Sequence, residues 1–279
     1  MLIAHFFDLI PIGLLLIGTI AIMVLFIEYG FRLGQKAQGG AKKAQTSQVR
    51  AIMGAGLGLL AFMLAFTFST AQSHFEVRVQ SLAEEARIAR NAYMQADLLP
   101  EPRRSDAKQL LKKYIKLRAG ISMVSGNNIT QKIAELLRQS EQIQHDLWVL
   151  AVGSDSQGSI TPGLAGRESQ FMTSVLALSD VHYTRVHSAI MNRIPFTIWM
   201  TLYLMAALSM VIMGYQAGLT ERRSPVATVT LAIAFSAVII LITDLDRPVM
   251  SFFEINKQLL VDLHEYMEAD QRLEYYPGD

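Results

Sequence analysis

Four long apolar stretches are separated by polar segments along the chain. They cover about Leu9 to Ile27, Ala51 to Ala71, Pro195 to Leu219 and Val226 to Thr243. A helix needs roughly 20 apolar residues to cross the hydrocarbon core of a bilayer, and each stretch comes close to this length. Pro195 and Pro225 stand where proline is tolerated, at the start of a helix. The pattern therefore predicts four transmembrane helices.

Residues 72–194, between the second and third stretches, follow a helical period. Apolar residues recur at steps of three and four from Phe75 to Ala96 and again from Ile129 to Leu150. Further helices are predicted at about Ser105 to Arg118, with Ser105 as N-cap, at about Gly166 to Asn192, and at about Phe252 to Leu273. Because such one-sided helices need partners, we expect an extramembrane helical bundle.

The predicted fold is therefore an all-α membrane protein with four transmembrane helices and an extramembrane bundle. Residues 1–71 hold the first two membrane helices and a basic loop at 29–50, and residues 72–194 form the helical insert. Residues 195–243 hold the last two membrane helices, and residues 244–279 an amphipathic C-terminal helix and tail. The first apolar run has no Lys or Arg before it, so a removable signal peptide is not expected.

Composition supports the membrane class. The chain is 51% hydrophobic and only 18% charged, which is too apolar for an ordinary soluble domain. A net charge of +1 gives no reason to expect nucleic-acid binding. The chain has no cysteine, which excludes disulfides, thiolate metal sites and a cysteine nucleophile.

The sequence offers little for catalysis. It contains no phosphate-binding loop, dinucleotide fingerprint or hydrolase motif. His182 and His187 are five residues apart, a poor spacing for a shared metal on one helical face. Glu84 and Glu85 are interpreted as solvated or capping carboxylates. We therefore expect no enzyme activity, no cofactor and no metal site.

The second apolar stretch has one unusual face. Gly54, Gly58, Phe62, Phe66 and Thr70 recur every four residues, so a helix places them on one slowly drifting stripe. The two phenylalanines either pack against neighbouring helices or form a hydrophobic constriction, which can close a pore by dewetting. Hydroxyls just beyond them would line the continuing path, and they belong to Thr67, Ser69 and Thr70.

A charged corner ends the fourth stretch. Asp244, Asp246 and Arg247 follow its last apolar residue, and Pro248 stops the helix. One interpretation is a helix stop with a salt bridge. The other is a set of vestibule charges, because rings of carboxylates raise the local cation concentration.

At these segments the chain resembles bestrophins and, more closely, a bacterial bestrophin-like domain family. The resemblance is carried by Ala-Phe-Met-Leu-Ala-Phe at 61–66, Leu-Ala-Phe-Thr-Phe-Ser at 64–69, Glu-Glu-Ala and Tyr-x-x-Ala-Asp-Leu-Leu-Pro within 84–100, and Asp-Leu-Asp-Arg-Pro at 244–248. It implies a pentameric ion channel whose axis is lined by the second membrane helix, with Phe62 and Phe66 as the neck. Gly58 falls where animal channels have a larger apolar residue. The acidic calcium clasp of those channels has no counterpart after Pro248.

The implied partners are other copies of this chain, the lipid bilayer and inorganic ions. A different class of function stays open, namely a non-conducting membrane scaffold or sensor whose helical insert binds a partner or ligand. The expected location is the bacterial inner membrane. Residues 29–50 hold five basic residues and no acid, so the positive-inside rule places the termini and the insert outside the cytoplasm. The bestrophin resemblance implies the reverse orientation, and we favour the charge rule.

Overall fold

The computed structural model describes residues 10–37, 43–121, 129–152, 165–191, 193–220, 224–247 and 258–275. These residues form eight α-helices and no strand, which confirms the predicted all-α class. The helices are α1 (Ile12–Ala37), α2 (Lys43–Ala96), α3 (Arg103–Ile121), α4 (Ile129–Val152), α5 (Ala165–Met191), α6 (Phe196–Thr220), α7 (Pro225–Asp246) and α8 (Gln258–Tyr275).

The chain divides into two compact units. The first combines Met1–Glu76 with Asn192–Phe253, and the second combines Val77–Met191 with Glu254–Asp279. Four of the described helices are long and apolar enough to cross a membrane, namely α1, α2, α6 and α7. In the first unit these four segments pack on one another, and the second unit is a helical bundle.

Several helix ends differ from the expectation. The segment 29–50 is largely helical, because α1 continues to Ala37 and α2 already begins at Lys43. The N-cap assigned to Ser105 is wrong. Helix α3 begins at Arg103, and the Ser105 hydroxyl donates to the Glu101 carboxylate at 2.8 Å. The predicted start of the last helix, Phe252, lies outside the described residues, within which α8 begins at Gln258.

Helices α1 and α6 approach each other backbone to backbone at two pairs of glycines. A Cβ added at Gly30 would overlap the carbonyl of Val211, and one at Gly214 would overlap the carbonyl of Ile27. Gly34 and Gly218, one turn further along, show the same close approach. Small residues four apart allow this in membrane helices, where backbone proximity increases van der Waals contact. The two glycine pairs therefore set the spacing of α1 and α6.

Each unit has its own apolar core. In the membrane unit the buried apolar side chains come from the four spanning segments and include Leu60, Leu202, Met210, Ala232 and Ile239. In the bundle they come from α2, α3, α4, α5 and α8 and include Tyr93, Tyr114, Leu147, Phe171 and Met267. The C-terminal helix α8 thus completes the bundle core, where the Tyr93 hydroxyl donates to the Asp270 carboxylate at 3.1 Å.

Candidate pore-lining face and buried ion cluster

The membrane part of α2 has one packed face and one open face. Leu60, Leu64 and Ala71 are buried against the other helices of the unit. Phe62 and Phe66 point away from them and are 66% and 59% exposed. More than half of each phenylalanine is therefore left uncovered by the protomer.

The open face of α2 also carries unusually small residues. Gly54 and Gly58 have no atom of a neighbouring segment near the position of a Cβ, and Ala61 and Ala65 are exposed. The exposed face of α1 is different, because it presents large aliphatic side chains such as Leu14 and Ile17. Large aliphatic residues suit a lipid contact, whereas small residues let helices approach each other.

Eight exposed side chains on one line along α2 follow alternating steps of three and four. Within the membrane unit these positions are Ile52, Ala55, Leu59, Phe62, Phe66, Ser69, Ser73 and Glu76, and all of them are exposed. Leu59, which the sequence argument did not select, precedes Phe62 on this line and is 50% exposed. We call these eight residues the α2 stripe.

The three hydroxyl residues beyond the phenylalanines are placed differently. Ser69 belongs to the α2 stripe. Thr70 is half-buried, and its hydroxyl donates to the Phe66 carbonyl at 3.1 Å. Thr67 differs from the expectation of a lining residue. It is buried, and its hydroxyl donates to the Met63 carbonyl at 2.7 Å, since one residue after Phe66 it is turned by about 100° around the helix.

The charged corner at the end of α7 is packed into the membrane unit. Asp244 and Arg247 are both buried. The Asp246 carboxylate accepts a hydrogen bond from the backbone N–H of Ile194 at 3.0 Å, and Arg247 donates to the Ile10 carbonyl at the same distance. These contacts tie the end of α7 to the residues that precede α6 and α1.

A buried ion cluster lies inside the bundle, centred on Glu85 of α2. Its carboxylate accepts hydrogen bonds from Tyr114 at 2.5 Å and from Nε of Arg118 at 2.7 Å, and it forms an ion pair with Arg185. The Tyr114 oxygen in turn lies 3.1 Å from Nδ1 of His182. Because Tyr114 gives its proton to Glu85, its oxygen accepts from the His182 ring, which places the imidazole proton on Nδ1.

The charges of this cluster are strongly coupled. Burial by itself would raise the pKa of Glu85, but Arg185 and Arg118 outweigh burial and lower it to about 2. Burial, followed by the repulsion from Arg118, lowers the pKa of His182 to about 4. The cluster therefore holds an ionised Glu85 and a neutral His182 at neutral pH.

The interpretation of Glu85 as a solvated carboxylate is wrong. Its side chain is fully buried, whereas the adjacent Glu84 forms a surface ion pair with Arg87 at 2.5 Å. A groove of about 430 Å³ lies beside that pair, between α2 and α5, and its wall includes Asn91, Gln95 and Thr173. Within the described residues, no group of three His, Asp or Glu side chains could hold a metal ion.

Comparison with known proteins identifies the family. A bestrophin-like domain model matches residues 19–259, which is most of the chain. The chain belongs to the bestrophin-like family. The resemblance inferred from the motifs at 61–69, 84–100 and 244–248 is thereby confirmed.

A solved structure shares the fold of this bestrophin-like chain. It is a crystal structure of a membrane protein, with a TM-score of 0.59 and 13% sequence identity, and the match covers 92% of this chain and 97% of the other. No curated protein matches the sequence. The family and the four long apolar helices make this a membrane-embedded protein.

Proposed function

We propose that the chain assembles into a homopentameric ion channel whose pore is lined by the α2 stripe. The observation that carries this proposal is the outward position of Phe62 and Phe66 on a face of small residues. If α2 from each protomer surrounds one axis, the two phenylalanines form apolar rings, and such rings gate conduction by dewetting. The family supports the channel class.

The neck has three apolar levels in this proposal. Gly58 offers no side chain to a ring, but Leu59 lies on the α2 stripe and is half exposed. Leu59, Phe62 and Phe66 then form the constriction, and the path continues past Ser69 with Thr70 at its margin. Gly54 and Gly58 let neighbouring copies of α2 approach closely around the axis.

Two groups of residues receive a structural role instead of a pore role. Thr67 faces the packed side of α2, so we leave it out of the lining. Asp246 and Arg247 anchor the end of α7 through their hydrogen bonds in the membrane unit, and Asp244 is buried there. A vestibule function would require solvent-facing charges, and both Asp244 and Arg247 are buried.

The alternative function is a non-conducting sensor whose helical bundle binds a ligand. The groove between α2 and α5 favours it, since polar side chains such as Asn91 and Gln95 line a space large enough for a small polar molecule. Flux measurements separate the two functions. A sensor passes no ion, whereas a channel passes ions without any added ligand.

The deciding experiment measures oligomer mass in detergent and ion flux in liposomes. We expect a mass of about five protomers, a number that rests on the bestrophin analogy, and a flux that rises when Phe62→Ala and Phe66→Ala are combined, because smaller side chains widen the neck. The matched control is Leu14→Ala, which removes an equally exposed apolar residue from α1. A monomer, or a purified protein that passes no ion, would rule out the pore.

A further inference from the structure

We propose that Glu76 forms a ring of carboxylates at one mouth of the pore and makes the channel select small inorganic cations. This inference rests on the proposed pore and adds the class of ion that the pore carries. It follows from the position of Glu76 on the α2 stripe and from the distribution of charge along α2.

Glu76 is the first ionised residue that the stripe presents after the neck. No Lys, Arg, Asp or Glu occurs between Arg50 and Glu76, and the stripe positions between them are apolar or carry only a hydroxyl. From Phe66 the stripe passes through Ser69 and Ser73 to Glu76, which is exposed. At 1.5 Å per residue, Glu76 lies about 15 Å from Phe66 along the helix.

The charge of Glu76 is not neutralised within the described part of the protomer. Its carboxylate accepts one hydrogen bond from the Gln72 amide at 3.0 Å, and no described Lys or Arg forms an ion pair with it. The Gln72 amide is neutral, so it orients the carboxylate without cancelling its charge. One negative charge per protomer is therefore available to the pore.

The next charged residues at the same spacing on α2 are basic, but both have partners. Arg87 pairs with Glu84 at 2.5 Å, and Arg90 lies over the Tyr266 ring at 5.3 Å. Glu76 precedes both of them along α2 and is the first charged residue after the apolar wall. Carboxylate rings are the usual basis of cation preference in channels.

The test is the reversal potential of the reconstituted pentamer under a KCl gradient. The wild type should favour K⁺ over Cl⁻, and Glu76→Gln should lower the permeability ratio roughly tenfold, the lower end of the counter-ion enrichment in clefts lined by one sign of charge. Glu76→Lys should invert the preference, and Glu76→Asp should keep it. Glu265→Gln, which removes the same charge from an exposed site on α8, should change nothing.

A second measurement changes the charge at position 76 after the channel has folded, so a folding defect cannot explain its result. Because the chain has no cysteine, Glu76→Cys introduces the sole thiol. An anionic methanethiosulfonate reagent should restore cation preference in the same channels, and a cationic one should invert it. The preference should also weaken in about 1 M salt, where screening shortens the Debye length to about 3 Å.

The outcomes separate the two claims. If the wild type conducts but Glu76→Gln leaves the K⁺ to Cl⁻ ratio unchanged, or if the wild type favours Cl⁻, the selectivity role of Glu76 is overturned and the pore stands. If the wild type conducts nothing, the pore is overturned, and the role of Glu76 falls with it.

Discussion

The Glu85 carboxylate accepts a hydrogen bond from Nε of Arg118 at 2.7 Å inside the bundle, where the two side chains are 0% and 3% exposed. Removing two charges from water is costly, and their mutual attraction offsets that cost only when the remaining polar atoms are also satisfied. Tyr114 and Arg185 supply those further contacts. The arrangement joins α2, α3 and α5 through one carboxylate.

Loss of that carboxylate should destabilise the bundle strongly. Glu85→Ala removes the carboxylate that pairs with the buried Arg118 guanidinium, and breaking a buried pair in this way costs about 3–5 kcal/mol. We expect a large fall in the unfolding temperature of the purified protein. Glu84→Ala, at the neighbouring surface position, should leave it nearly unchanged. Equal effects of the two variants would contradict the role of Glu85.

The bundle should lose stability as the pH falls below neutrality. The pKa of His182 is lowered in the folded state from 6.5 to about 4, so below pH 6.5 the unfolded chain binds a proton that the folded chain does not. The contribution of His182 is therefore present at higher pH and is lost on acidification. Between pH 6.5 and 5 we expect a loss of about 2 kcal/mol, visible in unfolding temperatures.

His182→Gln tests the source of that pH dependence. The amide can still bond to Tyr114 but does not titrate, so the unfolding temperature should vary less between pH 6.5 and 5. His145→Gln, at an exposed position on α4, should keep the wild-type slope. Below pH 4.5 a second loss should follow in both proteins, because the lowered pKa of Glu85 gives stability that protonation of the unfolded carboxylate removes.

Sequence patterns predicted the helices well because apolar period and length are local signals. The same period indicates that Glu85 is buried. It lies three residues after Leu82 and four before Ala89, on the face that packs into the core. The sequence cannot show that Arg118 and Arg185 converge there. Their convergence depends on how α3 and α5 pack, which no single helix encodes.

The sequence also left open which side chains of α2 are exposed. The period of four marked Gly58 and Phe62 as neighbours on one face, but only the packing of the helices shows that Thr67 is on the packed face of α2 and Leu59 on the open one. Two glycines spaced by four residues also occur in both α1 and α6, and their mutual contact depends on register. A pattern within one helix does not determine which other helix it meets.

The glycine contact between α1 and α6 gives a further prediction. At Gly214 an added Cβ meets the Ile27 carbonyl, which is backbone and cannot rotate away, so Gly214→Ala must push the helices apart. Overpacking of this kind costs about 1–3 kcal/mol. We expect a lower unfolding temperature and a lower yield of oligomer. Gly18→Ala, on α1 with open space around it, is the control and should fold normally.

The orientation of the chain in the membrane can be measured with introduced cysteines. Arg32, Lys36 and Arg50 belong to the basic ends of α1 and α2, and the positive-inside rule places these ends in the cytoplasm. The insert would then lie outside. In the cysteine-free chain, Ser105→Cys, exposed on α3, should react with a membrane-impermeant maleimide in intact cells.

Lys36→Cys should react with the same reagent only after the cells are opened, because the exposed end of α1 would face the cytoplasm. The parent chain, which has no thiol, reports background labelling. The reverse pattern, with Lys36→Cys labelled in intact cells and Ser105→Cys protected, would support the orientation implied by the bestrophin resemblance. In that case Glu76, which follows the membrane part of α2 on the insert side, would concentrate cations at the cytoplasmic mouth of the pore instead of the outer one.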